Sequence, residues 1–143
     1  MWPALVEKAF AKLHGNYKNI VDGDPKHSIE VLTGAHSTRY HHAGHDENDE
    51  NENLTLTSAN EVYQRILDNI DNDTMISAMT SGTSNEDRTF FQLAQNHIYT
   101  VIDAIEVGGW KLIRIRNPWG REEYNGAWND NDSRWNTTIP GST

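Results

Sequence analysis

The 143-residue chain contains no cysteine. That excludes a disulfide framework, a thiolate metal site and a cysteine nucleophile inside the chain. No apolar run approaches the roughly 18 residues needed to cross a bilayer. The basic-then-apolar opening of a secretory signal, with its small-residue cleavage site, is missing as well, so no such signal is expected. Basic residues are scarce: 12 Lys plus Arg against 21 Asp plus Glu, for a formal charge of −9. This balance argues against a general nucleic-acid binder, which needs a basic face to neutralise phosphates. Apolar residues make up 36%, which is low beside the about 45–50% of soluble domains when glycine is counted. A chain of this length still buries roughly two-thirds of its unfolded surface, enough for one domain or one lobe with a core. Five of the acids fall between Asp46 and Glu52, and without that run the charge is an ordinary −4.

The patterning predicts two main helices followed by β structure. Trp2 to Gly15 reads as an opening helix, with Pro3 in its first turn and an apolar stripe of Leu5, Ala9 and Leu13 beside Val6 and Phe10. Gly15-Asn16 is its stop. Asn19 to Pro25 reads as a turn-rich loop, and Ile29 to Leu32 as a short apolar run ended by Thr33-Gly34. Ala35 to Asn53 holds His36, His41, His42 and His45 and then the acidic, Asn-rich run, and it reads as a flexible loop or insertion. Ser58 and Glu61 have the spacing of a capping box for a second helix striped by Val62, Ile66 and Ile70, with Tyr63 and Leu67 beside them. Thr74 to Thr80 has the length of a strand, and Ser81 to Arg88 is a polar loop.

Asn96 to Val107 and Lys111 to Arg116 read as two strands joined by Gly108-Gly109, a pair suited to the positive φ of a tight hairpin turn. Ile113 and Ile115 share one face; Arg114, Arg116 and the off-pattern Leu112 share the other. A hairpin centred on those glycines pairs residues whose numbers sum to about 217. Val101 then faces the neighbourhood of Arg116, and His97 falls just beyond the strand end, near Asn117 and Trp119. A carboxamide oxygen there can accept the imidazole N–H and fix its tautomer, the task of a triad's third member. A lone histidine at a strand edge is more often structural, and an Asn before Pro is common in turns, so each residue alone says little. Hairpin pairing is what brings them together.

At this point a resemblance becomes specific. Asn96-His97-Ile98-Tyr99-Thr100-Val101, then Lys111 through Arg116 with Asn117-Pro118-Trp119-Gly120, then Glu123-Tyr124-Asn125-Gly126-Ala127-Trp128-Asn129-Asp130 and Trp135-Asn136, resemble the calpain family of papain-like, calcium-dependent cysteine proteases. The opening Trp2 to Gly15 resembles a segment of their protease core upstream of the histidine, and Leu32-Thr33-Gly34 falls where the family also has Thr-Gly. The likeness runs from Trp2 to about Pro140, poorly across Ala35 to Asn53.

The resemblance implies an α+β fold, the C-terminal lobe of a papain-like cysteine protease, with helices packed on an antiparallel sheet. Residues 1–143 would be the second, His/Asn-bearing lobe, shortened at its C-terminus, with 35–53 a flexible loop within it. His97 would be the catalytic histidine, Asn117 its orienting asparagine, and Trp119 the indole that shields their hydrogen bond. Glu123 and Asp130 fall where the family's second lobe supplies calcium carboxylates. The shortened chain would lack further calcium ligands, so calcium affinity is expected to be weak or absent. The implied partners are a Cys-bearing first lobe and protein substrates, with no nucleic acid and no transmembrane segment; the implied location is cytoplasmic. The chain alone is expected to be inactive, being the base-bearing part of an intracellular endopeptidase. Asn96 and Ile98 stand where the family usually has Gly and Ala, an expectation of crowding beside His97.

Other readings compete. The parent protein could have lost its nucleophile and kept this lobe as a non-catalytic module with a binding or calcium-responsive regulatory role. His41-His42-x-x-His45 has residue types that bind Zn²⁺ or Ni²⁺, but Gly44 disfavours the helix that would align them and a solvated loop is the simpler reading. Trp110, Trp119, Trp128 and Trp135 suggest a carbohydrate platform only outside the calpain-like context, since most tryptophans are packing anchors.

Overall fold

The structure, a computed structural model, describes residues 2–42, 57–121 and 124–136. It divides into two compact units, residues 1–39 and 40–143.

In the first unit, α1 (Trp2–Leu13) carries Pro3 in its first turn, as expected, and Gly15 at φ 95° takes the chain away. Its inward side differs from the predicted stripe. Leu5 and Leu13 are both 66% exposed, while Ala11 is buried and Phe10 and His14 are half-buried. The rings explain the choice: Phe10 packs on His14 at 4.5 Å, and His14 meets His27 edge-on at 5.4 Å. A 3₁₀ turn, Tyr17–Ile20, interrupts the expected loop and is capped by the Asn16 side chain, which accepts from the Asn19 N–H.

The run Ile29 to Leu32 belongs to a helix, α2 (Pro25–Thr33). Asp24 caps it by accepting the Lys26 N–H at 2.8 Å, Pro25 fills the first turn, and Gly34 at φ 72° ends it. Beyond Gly34 the chain is tied back. Ser37 donates its N–H and hydroxyl to the Glu30 carboxylate, and Arg39 pairs with Asp24. The Ser37 N–H, helped by its hydroxyl, holds the Glu30 carboxyl below its ordinary range.

The second unit is α+β. His41 bridges to Thr57 through the Thr57 N–H, and residues 43–56, including most of the predicted flexible loop, lie outside the described residues. α3 (Ala59–Ile70) opens as its sequence predicts, with the Ser58 hydroxyl accepting the Glu61 N–H. Its inward residues are Val62, Tyr63, Ile66, Leu67 and Ile70, the predicted stripe.

Three strands, β1 (Ile76–Met79), β2 (Ile98–Val107) and β3 (Trp110–Arg116), form one antiparallel sheet with β2 in the centre. Gly108 and Gly109, at φ 56° and 79°, make the β2–β3 turn. α3 covers the face bearing Ala104, Glu106 and Lys111: the Lys111 ammonium lies over the Tyr63 ring and donates to Asn60 Oδ1 at 3.0 Å. Burial first, and the nearby Glu106 second, raise the Tyr63 phenol above its ordinary pKa. Trp110, on the other face of β3, meets Trp128, whose ring packs on Trp135 at 4.9 Å.

The register departs from the simple hairpin count at one place. Val107↔Trp110 through Asp103↔Arg114 keep the predicted sum, but a bulge at Ile102 shifts the rest, so Val101 faces Ile115 and Thr100 faces Arg116. Leu112 is half-buried although it lies on the Arg face, while Ile113 stays 43% exposed.

Candidate active site

β2 enters the sheet from a tight turn. Ala94 is fully buried there, its N–H donating to the Tyr99 hydroxyl at 2.9 Å. Asn96 sits at φ 44°, in the left-handed region that Asn tolerates better than most residues, and its side chain is exposed. Asn therefore answers the same backbone demand that glycine would. Ile98 follows His97 on the opposite side of the strand.

His97 is 8% exposed. Its Nε2 lies 2.9 Å from Asn117 Oδ1, across the sheet end and 20 residues away in sequence. The one-residue shift at the bulge does not separate them. β3 ends at Arg116 beside Thr100, and Asn117-Pro118 turns the chain back over His97. The His97 ring meets the Tyr99 ring edge-on at 4.9 Å and the Trp119 ring at 4.2 Å with a 42° tilt. The structure thus gathers His97, Asn117 and Trp119 in one place.

The hydrogen bonds fix which proton is where. Asn117 Oδ1 also accepts the Trp119 backbone N–H at 3.0 Å. That amide can only donate, so the oxygen of Asn117 must face it; a flipped carboxamide would set donor against donor. The same oxygen then faces His97 Nε2, which must carry the hydrogen. The neutral ring is left with its lone pair on Nδ1, and Nδ1 has no hydrogen bond among the described residues. The Asn117 Nδ2 is buried and likewise has no partner among them. The result is an imidazole clamped as a donor at one nitrogen and left an acceptor at the other.

Trp119 lies against the guanidinium groups of Arg88 and Arg121 as well as His97, each guanidinium carbon 5.5 Å from a Trp119 ring centroid. Arg88 Nη1 donates to the carbonyls of Asn85, Glu86 and Asp87, so it shapes the loop before β2. Neither arginine stands out in the sequence, because both contacts depend on how the loops fold back on the sheet end.

The two carboxylates expected to hold a cation fare differently. Glu123 lies outside the described residues. Asp130 is exposed in the loop after Trp128. Its neighbour Asp132 is committed to protein donors: the N–H groups of Trp128 and Arg134 and the Arg134 guanidinium. Those donors, the Arg134 N–H foremost and then the Trp128 N–H, lower its pKa. Calcium takes about six to eight oxygen ligands. Among the described residues no group of three or more His, Cys, Asp or Glu stands close enough to hold a metal. His45 of the histidine-rich stretch lies outside them too.

Comparison with known proteins converges on the same family. The family model described as calpain family cysteine protease matches residues 1–142. The chain is 34% identical to the calpain-2 catalytic subunit of Bos taurus, 32% to the calpain-1 catalytic subunit of Macaca fascicularis and 35% to calpain-8 of Rattus norvegicus. Each match covers 97% of this chain and 19% of the relative, so the chain spans about a fifth of the length of the curated relatives it matches. A match along nearly the whole chain, over an α+β lobe whose sheet end carries this His–Asn pair, has one conclusion: the chain belongs to the calpain family of cysteine proteases.

Proposed function

We propose that the chain is the second lobe of a calpain-like cysteine endopeptidase and supplies its general base and the residue that orients it. The observation that carries the proposal is the fixed tautomer of His97, with Nε2–H held by Asn117 and Nδ1 left as the acceptor. A cysteine on another lobe would give its thiol proton to Nδ1, and the thiolate would attack the peptide carbonyl. The imidazolium would then pass that proton to the leaving amine, and Nδ1 would take a proton from the water that releases the acyl group. Through these steps Asn117 keeps the ring in plane and stabilises the imidazolium. Trp119, with its ring on the imidazole, keeps water from their bond.

The partners on this reading are the Cys-bearing lobe and protein substrates, and the location is the cytoplasm. No helix among the described residues is long and apolar enough to cross a membrane. Calcium would meet Glu123 and Asp130 together with donors beyond the described residues, and the proton steps above do not depend on it.

Two results test the proposal. The coding sequence upstream of residue 1 is expected to encode a lobe with a cysteine at a helix start and a glutamine a few residues before it, placed to form an oxyanion hole. Another residue in place of that cysteine would overturn the catalytic reading. The isolated chain is expected to give no turnover of a peptide substrate, with or without calcium, because it has no thiol. Turnover by this chain alone would show that the chemistry resides elsewhere.

A further inference from the structure

The histidine pair has a support that neither its motif nor the family resemblance points to. Met79 of β1 pairs with Ile98 of β2, and the next pair outward in the same register is Thr80 with His97. In an antiparallel ladder such a pair exchanges two N–H···O=C bonds. Here only one is of that kind: the Thr80 N–H donates to the His97 carbonyl at 3.0 Å. The return bond runs from the His97 N–H to the Thr80 hydroxyl oxygen at 3.1 Å. The hydroxyl proton goes to the Ala94 carbonyl at 2.7 Å; the His97 carbonyl, at 3.2 Å, is the longer contact and already takes the Thr80 N–H. One hydroxyl therefore closes the turn at both ends, binding residue 94 and residue 97. Tyr99 closes it from the other side through the Ala94 N–H, with its ring edge-on to the imidazole.

The consequence is geometric. The backbone leaves the ladder at His97, so its N–H points at a side chain and not at a carbonyl. A residue without a hydroxyl at position 80 leaves that N–H, and the Ala94 carbonyl, without their partner. The rotation of the 94–97 turn sets where the His97 ring meets Asn117. We propose that Thr80 is a positioning residue for His97, holding the turn so that Nε2–H reaches Asn117 and Nδ1 faces outward. The catalytic part of this inference rests on the proteolytic reading; the structural part does not.

The test uses the ¹⁵N-labelled chain and long-range ¹H–¹⁵N spectra of its imidazoles, with His97→Gln identifying the His97 signals. The wild type is expected to show His97 as the Nε2–H tautomer with a slowly exchanging ring proton. Thr80→Ser, which keeps the hydroxyl, is expected to match it to within about twofold in exchange rate, and Thr80→Val, nearly isosteric but without the hydroxyl, to exchange about tenfold faster. Thr80→Val indistinguishable from wild type would overturn the proposal. Should Thr80→Val fail to fold, Thr80→Ser decides: protection lost there would show that the methyl group, not the hydroxyl, holds the turn. In the Cys-bearing parent protein, Thr80→Val is expected to lower kcat by about 10- to 100-fold with KM nearly unchanged, and Thr80→Ser to restore it. A parent without peptidase activity would defeat the proteolytic reading, while the imidazole spectra still decide the role of Thr80.

Discussion

His97 and Asn117 are 20 residues apart in the chain and 2.9 Å apart in space. The loop carrying Trp128, Asp130 and Trp135 is built the other way: the hydrogen bonds that shape residues 126–136 span no more than six residues, from Trp128 N–H to Asp132 and from Trp135 Nε1 to the Asn129 carbonyl. The first region exists only while the β2–β3 hairpin keeps its register. The second is shaped by its own turns and anchored by the contact of Trp128 with Trp110 and, at its entry, by the Asn125 N–H on the Phe91 carbonyl. Long-range assembly suits a site that must hold one proton on one nitrogen, because the sheet makes both partners rigid at once. Local assembly makes an independent loop that can change without disturbing the sheet.

That contrast can be broken in order of expected effect. Tyr99 is 3% exposed, packs edge-on to His97 and accepts the Ala94 N–H. Tyr99→Ala is expected to cost about 3–5 kcal/mol in urea unfolding and to release the His97–Asn117 bond with it. Retention of that bond in the variant would mean that the sheet end does not depend on its core. Gly109 at φ 79° has nothing within 4 Å of where a Cβ would stand, so Gly109→Ala brings backbone strain without a clash. The expected loss is about 1–2 kcal/mol, read from the urea midpoint, with the 126–136 loop unaltered in its tryptophan emission.

The smallest effect belongs to the loop. The folded Asp132 carboxyl titrates below its ordinary value of 3.8. Its stabilisation of the loop is therefore complete above that value and is lost as pH falls below it, through the depressed folded value. Tryptophan fluorescence is expected to report this acid step while the His97–Asn117 contact persists, and Asp132→Asn is expected to abolish the step. Simultaneous loss of both regions would show that they are one cooperative unit.

What could be read from the sequence follows the same division. The hairpin turn, the Ser58 cap, the α3 stripe and the meeting of His97 with Asn117 were all legible, because each depends on a fixed spacing: two glycines, a capping interval, a helical period, a register. The bulge at Ile102 was not, since one unpaired residue in an apolar strand leaves no compositional mark. α2 had its signals in Asp24-Pro25 and Gly34, but nine mostly polar residues show only a short apolar run. The inward side of α1 differs from its apolar stripe because His14, a polar residue, provides the packing surface while Leu5 and Leu13 stay exposed. The left-handed backbone at Asn96 is not legible either, since one Asn before a strand carries no mark of its φ. Thr80 leaves no signal in the sequence, because a threonine at a strand end is ordinary and only the fold lets its hydroxyl replace a ladder carbonyl.

The central claim is that His97 and Asn117 act as base and orienter of a thiol protease, and peptide hydrolysis by the full-length parent protein tests it most directly. The account predicts a kcat loss of at least about 10⁴-fold for His97→Ala and at least about 100-fold for Asn117→Ala, with KM little changed in both. Cleavage at the wild-type rate in either variant would contradict it.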